Sequence, residues 1–439
     1  MTTMQAARDE RISGYSYYVV FVLAVVYTLS SVDRTLISVL AEPIKREFGL
    51  SDSQLGLLTG LAFALSYSLA GIPLGLLVDR VRRTRLLASL VAIWSGLTFL
   101  SGLATSFTTL ALARIGVGAS EAGASPASMS LITDYFPKER RGFALSLFYM
   151  STPIGLSIAF GVGGWVAAHY GWKAAFFVAG GPGLLMALLI LLTVRDPVRG
   201  RFDAVDPAAA RERYKFREAA KTLAEIPPLL LLLLGAVCVV VAQAGIGAFS
   251  SPFLIRVHGL SVEQAGYAIS AIKGPTGLIG LLLGGLVADR LARNSTHSGP
   301  RAVGLLMMLA APVAIGAMLA PNWTVVLVCL GAFNFLNYTY YGAVFATYMT
   351  LAPVHMRGAL GGIFAVALTM LGYGFGPPLT GVSSDIARSL GLADPIRWGL
   401  VVTSCFFAVA GLIFLAAAAS IRRMEARQAA TGTDSGSDG

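Results

Sequence analysis

The chain has 439 residues, of which 56% are hydrophobic and 13% are charged, whereas a soluble chain carries about 25% charged residues. This composition excludes a water-soluble globule and predicts a polytopic helical membrane protein. The formal net charge of +10 therefore bears on membrane orientation, and it does not indicate a nucleic-acid partner.

Twelve apolar runs follow one another along the chain. Each predicts a membrane-spanning helix, because backbone amides in lipid must be satisfied within the segment, and a β-barrel would show strands of about 10 residues with alternating polarity. No small-residue cleavage site follows the first run, so we interpret it as a span and not as a removable signal peptide. The predicted spans are residues 17–40, 53–78, 86–105, 107–133, 142–168, 174–194, 228–254, 264–288, 302–320, 323–350, 359–385 and 399–420.

The basic residues predict how these spans are oriented. With the N-terminus in the cytoplasm, 24 of the 33 Lys and Arg residues lie on the cytoplasmic side, six lie outside and three lie within spans. Since cytoplasmic loops are enriched in Lys and Arg, both termini are predicted to be cytoplasmic. Residues 195–227 predict a charged linker that carries a surface helix, and residues 421–439 predict a disordered tail.

The two halves of the chain repeat each other. Nine positions in residues 49–83 recur in residues 259–293 at an offset of 210 residues. Six spans per half is an even number, so both halves enter the membrane from the same side and the repeat is parallel. We therefore expect an all-α membrane protein with two six-helix bundles, residues 1–194 and 228–420, related by a pseudo-two-fold axis and working by alternating access.

Three segments resemble signature segments of the major facilitator superfamily. They are GLLVDRVRR at residues 75–83, its echo GLVADRLAR at residues 285–293, and LARIGVG at residues 112–118. The resemblance extends over all twelve spans, and it implies the fold of that superfamily and the function of a secondary transporter.

Three further segments are similar to the Spinster branch of that superfamily. They are VDRTLISVL at residues 32–40, GVGASEAGASPASMSLITDYFPKERRG at residues 116–142 and LSLFYMSTPIG at residues 145–155. Known members of the branch include carriers of lysolipids and phosphorylated sphingoid bases, so the resemblance implies a lipid-like amphipathic substrate and a bacterial homologue in the inner membrane. Asp-Arg pairs in helix 1 also occur in carriers of organic anions, so a small organic anion or drug is the alternative substrate.

Five charged residues lie in the interior of the predicted spans, away from their ends: Asp33, Arg34, Arg114, Glu121 and Lys273. A charge at a helix centre costs roughly 2.5–3.5 kcal/mol on insertion scales, so such a residue is by default a functional candidate. Consecutive helical residues point about 100° apart, so Asp33 and Arg34 each need a partner on another helix. The resemblance implies that helices 1 and 4 are neighbours, and we expect Asp33, Arg34 and Glu121 to form a cluster.

This cluster predicts proton coupling through Asp33 and Glu121. Burial and a nearby arginine act in opposite directions on the pKa of a carboxyl group, so its protonation depends on which contacts exist in each state. A deprotonated acid would hold Arg34, and protonation would free the guanidinium for a phosphate or carboxylate headgroup. The alternative is a permanent ion-paired triad that only fixes helix packing. Arg114, two turns before Glu121, is predicted to line the cavity or to bond carbonyls of neighbouring helices.

The second half lacks the paired charges of the first. At the repeat offset Asp33 corresponds to Gln243, and residues 331–337, which correspond to the region of Glu121, contain no acid. Lys273 predicts either a second headgroup site or a side chain that snorkels to an interface. Helix 10 is rich in aromatic and amide side chains, which suits an acyl chain beside a polar head or, alternatively, ordinary core packing. The predicted substrate-binding residues are Arg34, Arg114, Gln243, Asn334, Asn337 and Tyr338.

A further set of charges lies at the predicted cytoplasmic ends of helices 2 and 8. A carboxylate there can face the positive N-terminus of a neighbouring helix, such as helix 11 for Asp79, when the cytoplasmic side is closed. Orientation by positive charge alone would explain the arginines but not the aspartates. The predicted gating residues are Asp79, Arg80, Arg83, Asp289, Arg290 and Arg293.

An enzyme and a channel are the rival classes. The sequence has no HExxH, GxSxG or P-loop motif, its four histidines map to loops or span ends, and its three cysteines lie within apolar runs. We therefore expect no enzymatic activity, no cofactor and no metal. A channel would not saturate, whereas a carrier would. The expected partners are the substrate, protons and membrane lipids, and a monomer is expected to be functional.

Overall fold

A computed structural model describes residues 13–202, 216–292 and 295–433. Within these ranges the regular elements are all helical and no β-strand is present. Ten helices in the described part of the chain are long and apolar enough to cross a membrane. The architecture confirms the predicted all-α membrane protein.

Eight helices precede the linker. The predicted fourth span is interrupted, because its helix ends at Glu121 and a second helix begins at Ala124. The eight helices are α1 (Gly14–Val39), α2 (Ala41–Phe48), α3 (Asp52–Val78), α4 (Arg83–Ser101), α5 (Phe107–Glu121), α6 (Ala124–Tyr135), α7 (Lys138–Tyr170) and α8 (Trp172–Thr193).

Seven helices follow in the described residues from 216 onward. They are α9 (Phe216–Glu225), α10 (Pro227–His258), α11 (Val262–Ala292), α12 (Ser298–Leu319), α13 (Trp323–Leu351), α14 (Val354–Ser389) and α15 (Pro395–Thr433). The helix α9 is the surface helix predicted in the linker. With α5 and α6 sharing one span, the described helices account for all twelve predicted spans.

The last helix is longer than the sequence predicts. The tail was expected to be disordered from residue 421, but α15 continues to Thr433. The physical reason is composition, since residues 421–430 (IRRMEARQAA) consist almost entirely of Arg, Ala, Met, Glu and Gln, which favour a helix. The predicted boundary of the tail is corrected accordingly.

Three spans contain a π-helical turn. These turns are Leu57–Leu61 in α3, Ala159–Gly163 in α7 and Leu368–Tyr373 in α14. Such turns insert a residue into the hydrogen-bond ladder and occur frequently at functional sites. They give α3, α7 and α14 local irregularity within otherwise continuous spans.

The chain divides into two compact units. The first holds α1 and the chain from Leu65 to the linker, and the second holds Ala41–Ala64 and the chain after the linker. In the first unit α1 packs against α7, where a Cβ atom on Gly155 would stand only 2.6 Å from the Cβ of Ser31. In the second unit α15 packs against α10 and α12. The predicted six-helix bundles, residues 1–194 and 228–420, were drawn from the sequence repeat, and their boundaries differ from those of the two compact units. The bundles stay a prediction.

Candidate functional site

Glu121 lies at the centre of a buried polar cluster in the first unit. It is the last residue of α5, and its side chain is fully buried. Its Oε2 atom accepts hydrogen bonds from the Ser30 hydroxyl at 2.9 Å and from Arg34 Nε at 2.6 Å. Its Oε1 atom has no hydrogen-bond partner among the residues that the structure describes. The carboxylate is therefore held through one of its two oxygens.

Asp33 and Arg114 complete this cluster. Both are 1% exposed, and Arg114 Nη1 donates a hydrogen bond to the backbone carbonyl oxygen of Asp33 at 3.1 Å. Asp33 Oδ1 finds no hydrogen-bond partner in the described part of the chain. The charges of Glu121, Arg114 and Arg34 all act on Asp33. We call Asp33, Arg34, Arg114 and Glu121 the Glu121 cluster. The structure brings Asp33, Arg34 and Glu121 together as the sequence predicts, and it adds Arg114, which bonds a backbone carbonyl of α1.

Arg34 is the accessible member of the Glu121 cluster. Its side chain retains 31% exposure, whereas Glu121 has none. Its guanidinium carbon lies 4.7 Å from the centre of the Tyr67 ring, within the range of a cation–π contact. A planar guanidinium with five N–H donors binds carboxylates and phosphates well. The cluster therefore combines a buried acid with a partly exposed cation.

Among the predicted gating residues, Arg83 is an internal anchor of the first unit. It is 1% exposed, and its Nη2 atom donates to Asp196 Oδ1 at 2.9 Å and to the Pro197 carbonyl oxygen at 2.8 Å. It also forms an ion pair with Asp134 on α6. Arg83 thus ties the beginning of the linker to α4 and α6, a contact that sequence reasoning did not anticipate.

The other predicted gating residues are described less fully. Asp79 and Arg80 are exposed at the end of α3. In the second half Asp289 and Arg290 fall within α11, but their side chains are not among those described, and Arg293 lies outside the described residues. The predicted gating roles stay predictions.

The predicted binding residues of the second half lie on α10 and α13. Gln243 and Tyr338 are half-buried. Asn334 is buried, and its Nδ2 atom donates to the Lys273 carbonyl oxygen at 3.1 Å and to Thr276 Oγ1 at 2.8 Å. These bonds join α13 to α11 and leave the amide oxygen of Asn334 for other contacts. Asn337 falls within α13, and its side chain is outside the described set.

A second polar cluster, in the second unit, was missed by the sequence reasoning. Asp52, the first residue of α3, has no exposed side-chain surface. Its Oδ1 atom accepts from Lys45 and from Arg256 Nη1 at 2.8 Å. Its Oδ2 atom accepts from Ser384 Oγ at 2.7 Å and from Arg388 Nη2 at 2.7 Å. We call Asp52 and these four partners the Asp52 cluster.

Additional contacts extend the Asp52 cluster. Arg256 Nε donates to Glu42 Oε2 at 2.6 Å, and the Asp385 carboxylate accepts from two backbone N–H groups in the first turn of α3. Burial lowers the pKa of the Lys45 amine from its ordinary value, against the opposing effect of its hydrogen bond to Asp52. The cluster therefore joins the α2–α3 segment to α10 and α14 through ionic contacts.

Three comparisons relate the chain to known proteins. The sequence pattern of the Major Facilitator Superfamily matches residues 23–377. The chain is 30% identical to an MFS-type efflux pump of Mycolicibacterium smegmatis over 92% of each chain. It is 25% identical to a D-galactonate transporter of Escherichia coli, covering 84% of this chain and 92% of the relative.

The fold is also similar to a solved transporter structure. A crystal structure of a bacterial homologue of the human lysosomal transporter Spinster, in an inward-facing and unoccupied conformation, superposes with a TM-score of 0.84 at 30% identity. The superposition covers 94% of this chain and 98% of that one. This likeness confirms the resemblance to the Spinster branch, and the transporter relatives confirm that the chain is not an enzyme. From its sequence pattern and its fold together, the chain belongs to the Major Facilitator Superfamily of transporters.

Proposed function

We propose that this protein is a proton-coupled secondary transporter of the bacterial inner membrane that moves an anionic or zwitterionic amphiphile by alternating access. Both termini lie in the cytoplasm in this proposal, because the basic residues concentrate on that side. One chain contains both halves of the repeat, so a monomer suffices for transport.

The observation that carries the proposal is the half-satisfied carboxylate of Glu121. A buried carboxylate that uses one oxygen for Arg34 and Ser30 can take up a proton without losing a full set of hydrogen bonds. Protonation removes its charge and weakens its hold on Arg34, whose side chain is already 31% exposed. The freed guanidinium then binds the anionic group of the substrate. Proton uptake and substrate binding are linked through one side chain.

Asp33 gives the cluster a second acidic group. It is buried beside Glu121 and Arg114, and two carboxylates that share a low-dielectric site disfavour each other's charge. A proton on either acid therefore relieves the repulsion between them. Arg114, which bonds the Asp33 backbone at 3.1 Å, keeps positive charge next to the pair throughout.

The Asp52 cluster supplies a contact that alternating access can break and re-form. Its ionic bonds hold the α2–α3 segment against α10 and α14. Charged groups tolerate separation into water far better than apolar groups do, so such a contact suits a reversible gate. We assign gating to this cluster in addition to the residues predicted at the opposite helix ends.

The lipid-like substrate is supported by the likeness to the Spinster homologue. The helix α13 adds aromatic residues, with Phe333 and Tyr340 buried and Tyr341 stacked against Phe345. Apolar rings of this kind suit an acyl chain beside a polar headgroup. The substrate class is therefore an amphiphile with a phosphate or carboxylate head.

Transport by purified protein in proteoliposomes tests this proposal. With an imposed pH gradient, wild type is expected to accumulate labelled lysophosphatidylethanolamine, whereas Asp33→Asn and Glu121→Gln lose accumulation but keep exchange down the gradient. Glu139→Gln, at the exposed start of α7, is the matched control and should behave as wild type. Full accumulation by both Asp33→Asn and Glu121→Gln would refute proton coupling through this cluster.

A small organic anion or drug is the second candidate substrate. The D-galactonate transporter and the efflux pump among the relatives favour it, and a cluster with one accessible arginine suits a compact carboxylate. The same proteoliposomes distinguish the two candidates when D-galactonate replaces the lysolipid. Accumulation of D-galactonate without lysolipid uptake would select the small anion.

A further inference from the structure

Thr98 on α4 has a buried hydroxyl group that its own helix does not satisfy. Its side chain has no exposed surface, and its Oγ1 atom has no partner in hydrogen-bonding geometry among the described residues. A serine or threonine inside a helix can bond the backbone carbonyl oxygen one turn earlier. Ser101, on the same helix and equally buried, donates in this way to the Leu97 carbonyl oxygen at 2.9 Å. The Thr98 hydroxyl is instead available to a group outside α4.

The group beside the Thr98 hydroxyl is the carboxyl of Asp33 on α1. The hydroxyl lies close enough to this carboxyl to act on its charge, and both residues belong to the first compact unit. Asp33 is 1% exposed, and its Oδ1 atom has no other hydrogen-bond partner in the described chain. Two buried oxygen atoms, one on each helix, are therefore left for each other.

The charges around Asp33 come from α1 and α5. They are those of Arg34, Arg114 and Glu121. The helices α6, α7 and α8 also pack against α1, but their charged residues, like those of α4, occupy their end turns. Tyr149, in the middle of α7, contacts the ring of Tyr27, about two turns before Asp33. From α4 Asp33 thus receives a hydroxyl group and no charge.

We propose that Thr98 is a positioning residue for the proton on Asp33, because its hydroxyl can donate to the ionised carboxylate and accept from the protonated carboxyl. This inference rests on the proposed function and adds a residue to the Asp33 side of the Glu121 cluster. A hydroxyl group has one donor and two acceptor lone pairs, and it rotates to suit its partner. When a proton from the water phase binds Asp33, the new O–H group donates to Thr98 Oγ1. The Thr98 hydrogen then turns to the Trp94 carbonyl oxygen one turn earlier, so the contact is kept in both protonation states.

Removal of this hydroxyl should change the pH dependence of transport. A hydrogen bond to the ionised carboxylate is about twice as strong as one to the neutral carboxyl, so Thr98→Val weakens the ionised form more than the protonated form. The pH at which proton-driven uptake of lysophosphatidylethanolamine is half-maximal should therefore rise by about 0.5–1 pH unit. Thr98→Ser restores the hydroxyl and should keep the wild-type value. Ser101→Ala is the matched control on α4 and should keep it too.

Infrared difference spectroscopy of the purified protein examines the same contact without transport. The carbonyl stretch of protonated Asp33 is the band that appears between alkaline and acidic wild-type samples and is missing in Asp33→Asn. Thr98→Val should move this band to the higher frequency of a carboxyl group without a hydrogen bond. Thr98→Ser and Ser101→Ala should leave it at the wild-type frequency.

The two measurements distinguish the role of Thr98 from the proposed coupling. An unchanged uptake midpoint and an unchanged band in Thr98→Val, or no Asp33 band in wild type, would overturn the assignment. A band that moves in Thr98→Val, together with full accumulation by Asp33→Asn, would refute coupling through Asp33 and leave the contact with Thr98 in place. If thermal unfolding shows that Thr98→Val does not fold, Thr98→Ala replaces it with the same expected changes.

Discussion

Two buried carboxylates in this protein are satisfied to very different degrees. Glu121 accepts two hydrogen bonds on one oxygen, and its other oxygen has no partner within the described ranges. Asp52 accepts four hydrogen bonds, two on each oxygen, and three of its donors are cations. Both side chains are fully buried, so burial alone does not distinguish them.

This difference supports the proposal that the Glu121 cluster, and not Asp52, carries the coupled proton. A carboxylate surrounded by three cations stays ionised, because a proton would have to displace a cation. A carboxylate with one free oxygen and one arginine has room for a proton. We therefore propose proton coupling for the Glu121 cluster and gating for the Asp52 cluster. The following variants test this contrast.

Asp52→Asn should have the largest effect on stability. It leaves Lys45, Arg256 and Arg388 facing a neutral amide, and we expect a loss of about 3 kcal/mol, near the low end for breaking a buried ion pair. The low end applies because these three cations keep 17%, 18% and 49% exposure. Thermal unfolding of the purified protein measures the loss. The pair of Asp394 and Arg397 provides the control, because the Asp394 side chain keeps 46% exposure and Asp394→Asn should cost less than about 1 kcal/mol. Equal losses in the two variants would show that the Asp52 cluster is no more than a surface network.

Arg34→Met should destabilise the protein less than Asp52→Asn does. Glu121 loses one cation here, whereas Asp52→Asn leaves three cations without a carboxylate, so we expect about 2 kcal/mol, below the usual cost of an uncompensated buried charge. The double variant Arg34→Met with Glu121→Met should recover most of that stability, because an apolar pair of similar size replaces the ion pair. Thermal unfolding and proton-driven uptake are measured on all three proteins. If the double variant regains stability but does not accumulate substrate, the ion pair has a role in transport. If it also accumulates substrate, the pair serves only to pack α1 against α5.

Hydropathy was sufficient to predict most of the fold. Twelve apolar runs became the twelve spans because a backbone in lipid has no alternative to a helix. The break between α5 and α6 was not predictable in this way, since hydropathy marks the ends of a span and this break lies inside the single predicted span 107–133. The extension of α15 was missed for a related reason, because charged residues mark the end of a span but not the end of a helix.

The two clusters differ in how visible they are in the sequence. The Glu121 cluster was predictable because a charge within a span is costly and must find a partner. The residues of the Asp52 cluster lie at span ends, where water solvates charged side chains. A charge at such a position is not costly, so the sequence does not mark it as a functional candidate. Its contacts also join positions as far apart as Asp52 and Arg388, 336 residues along the chain. The repeat singles out one residue of this cluster, since Arg46 recurs as Arg256 at the offset of 210. That Arg256 pairs with Asp52 is visible only in the folded structure.

Gly381→Ala tests how closely α14 approaches the beginning of α3 behind the Asp52 cluster. A Cβ atom on Gly381 would stand 2.1 Å from the Asp52 carbonyl oxygen, so α14 or the backbone of α3 must shift, at a cost of about 1–3 kcal/mol. Gly362→Ala on the same helix meets nothing within 4 Å and should gain roughly 0.5–1 kcal/mol from reduced chain entropy. Thermal unfolding therefore gives opposite signs for the two variants. The same sign in both would mean that this close contact does not limit stability.

Ser30→Ala should have the smallest effect and bears on the half-satisfied state of Glu121. The substitution removes the hydroxyl that donates to Oε2 at 2.9 Å, and we expect a loss of about 1 kcal/mol because Arg34 still holds the same oxygen. Ser31→Ala is the matched control, since the Ser31 hydroxyl donates only to the Tyr27 carbonyl oxygen of its own helix among its described hydrogen bonds. Thermal unfolding should show a loss in the first variant and almost none in the second. Equal losses would mean that Ser30 acts through α1 itself and not through its hydrogen bond to Glu121.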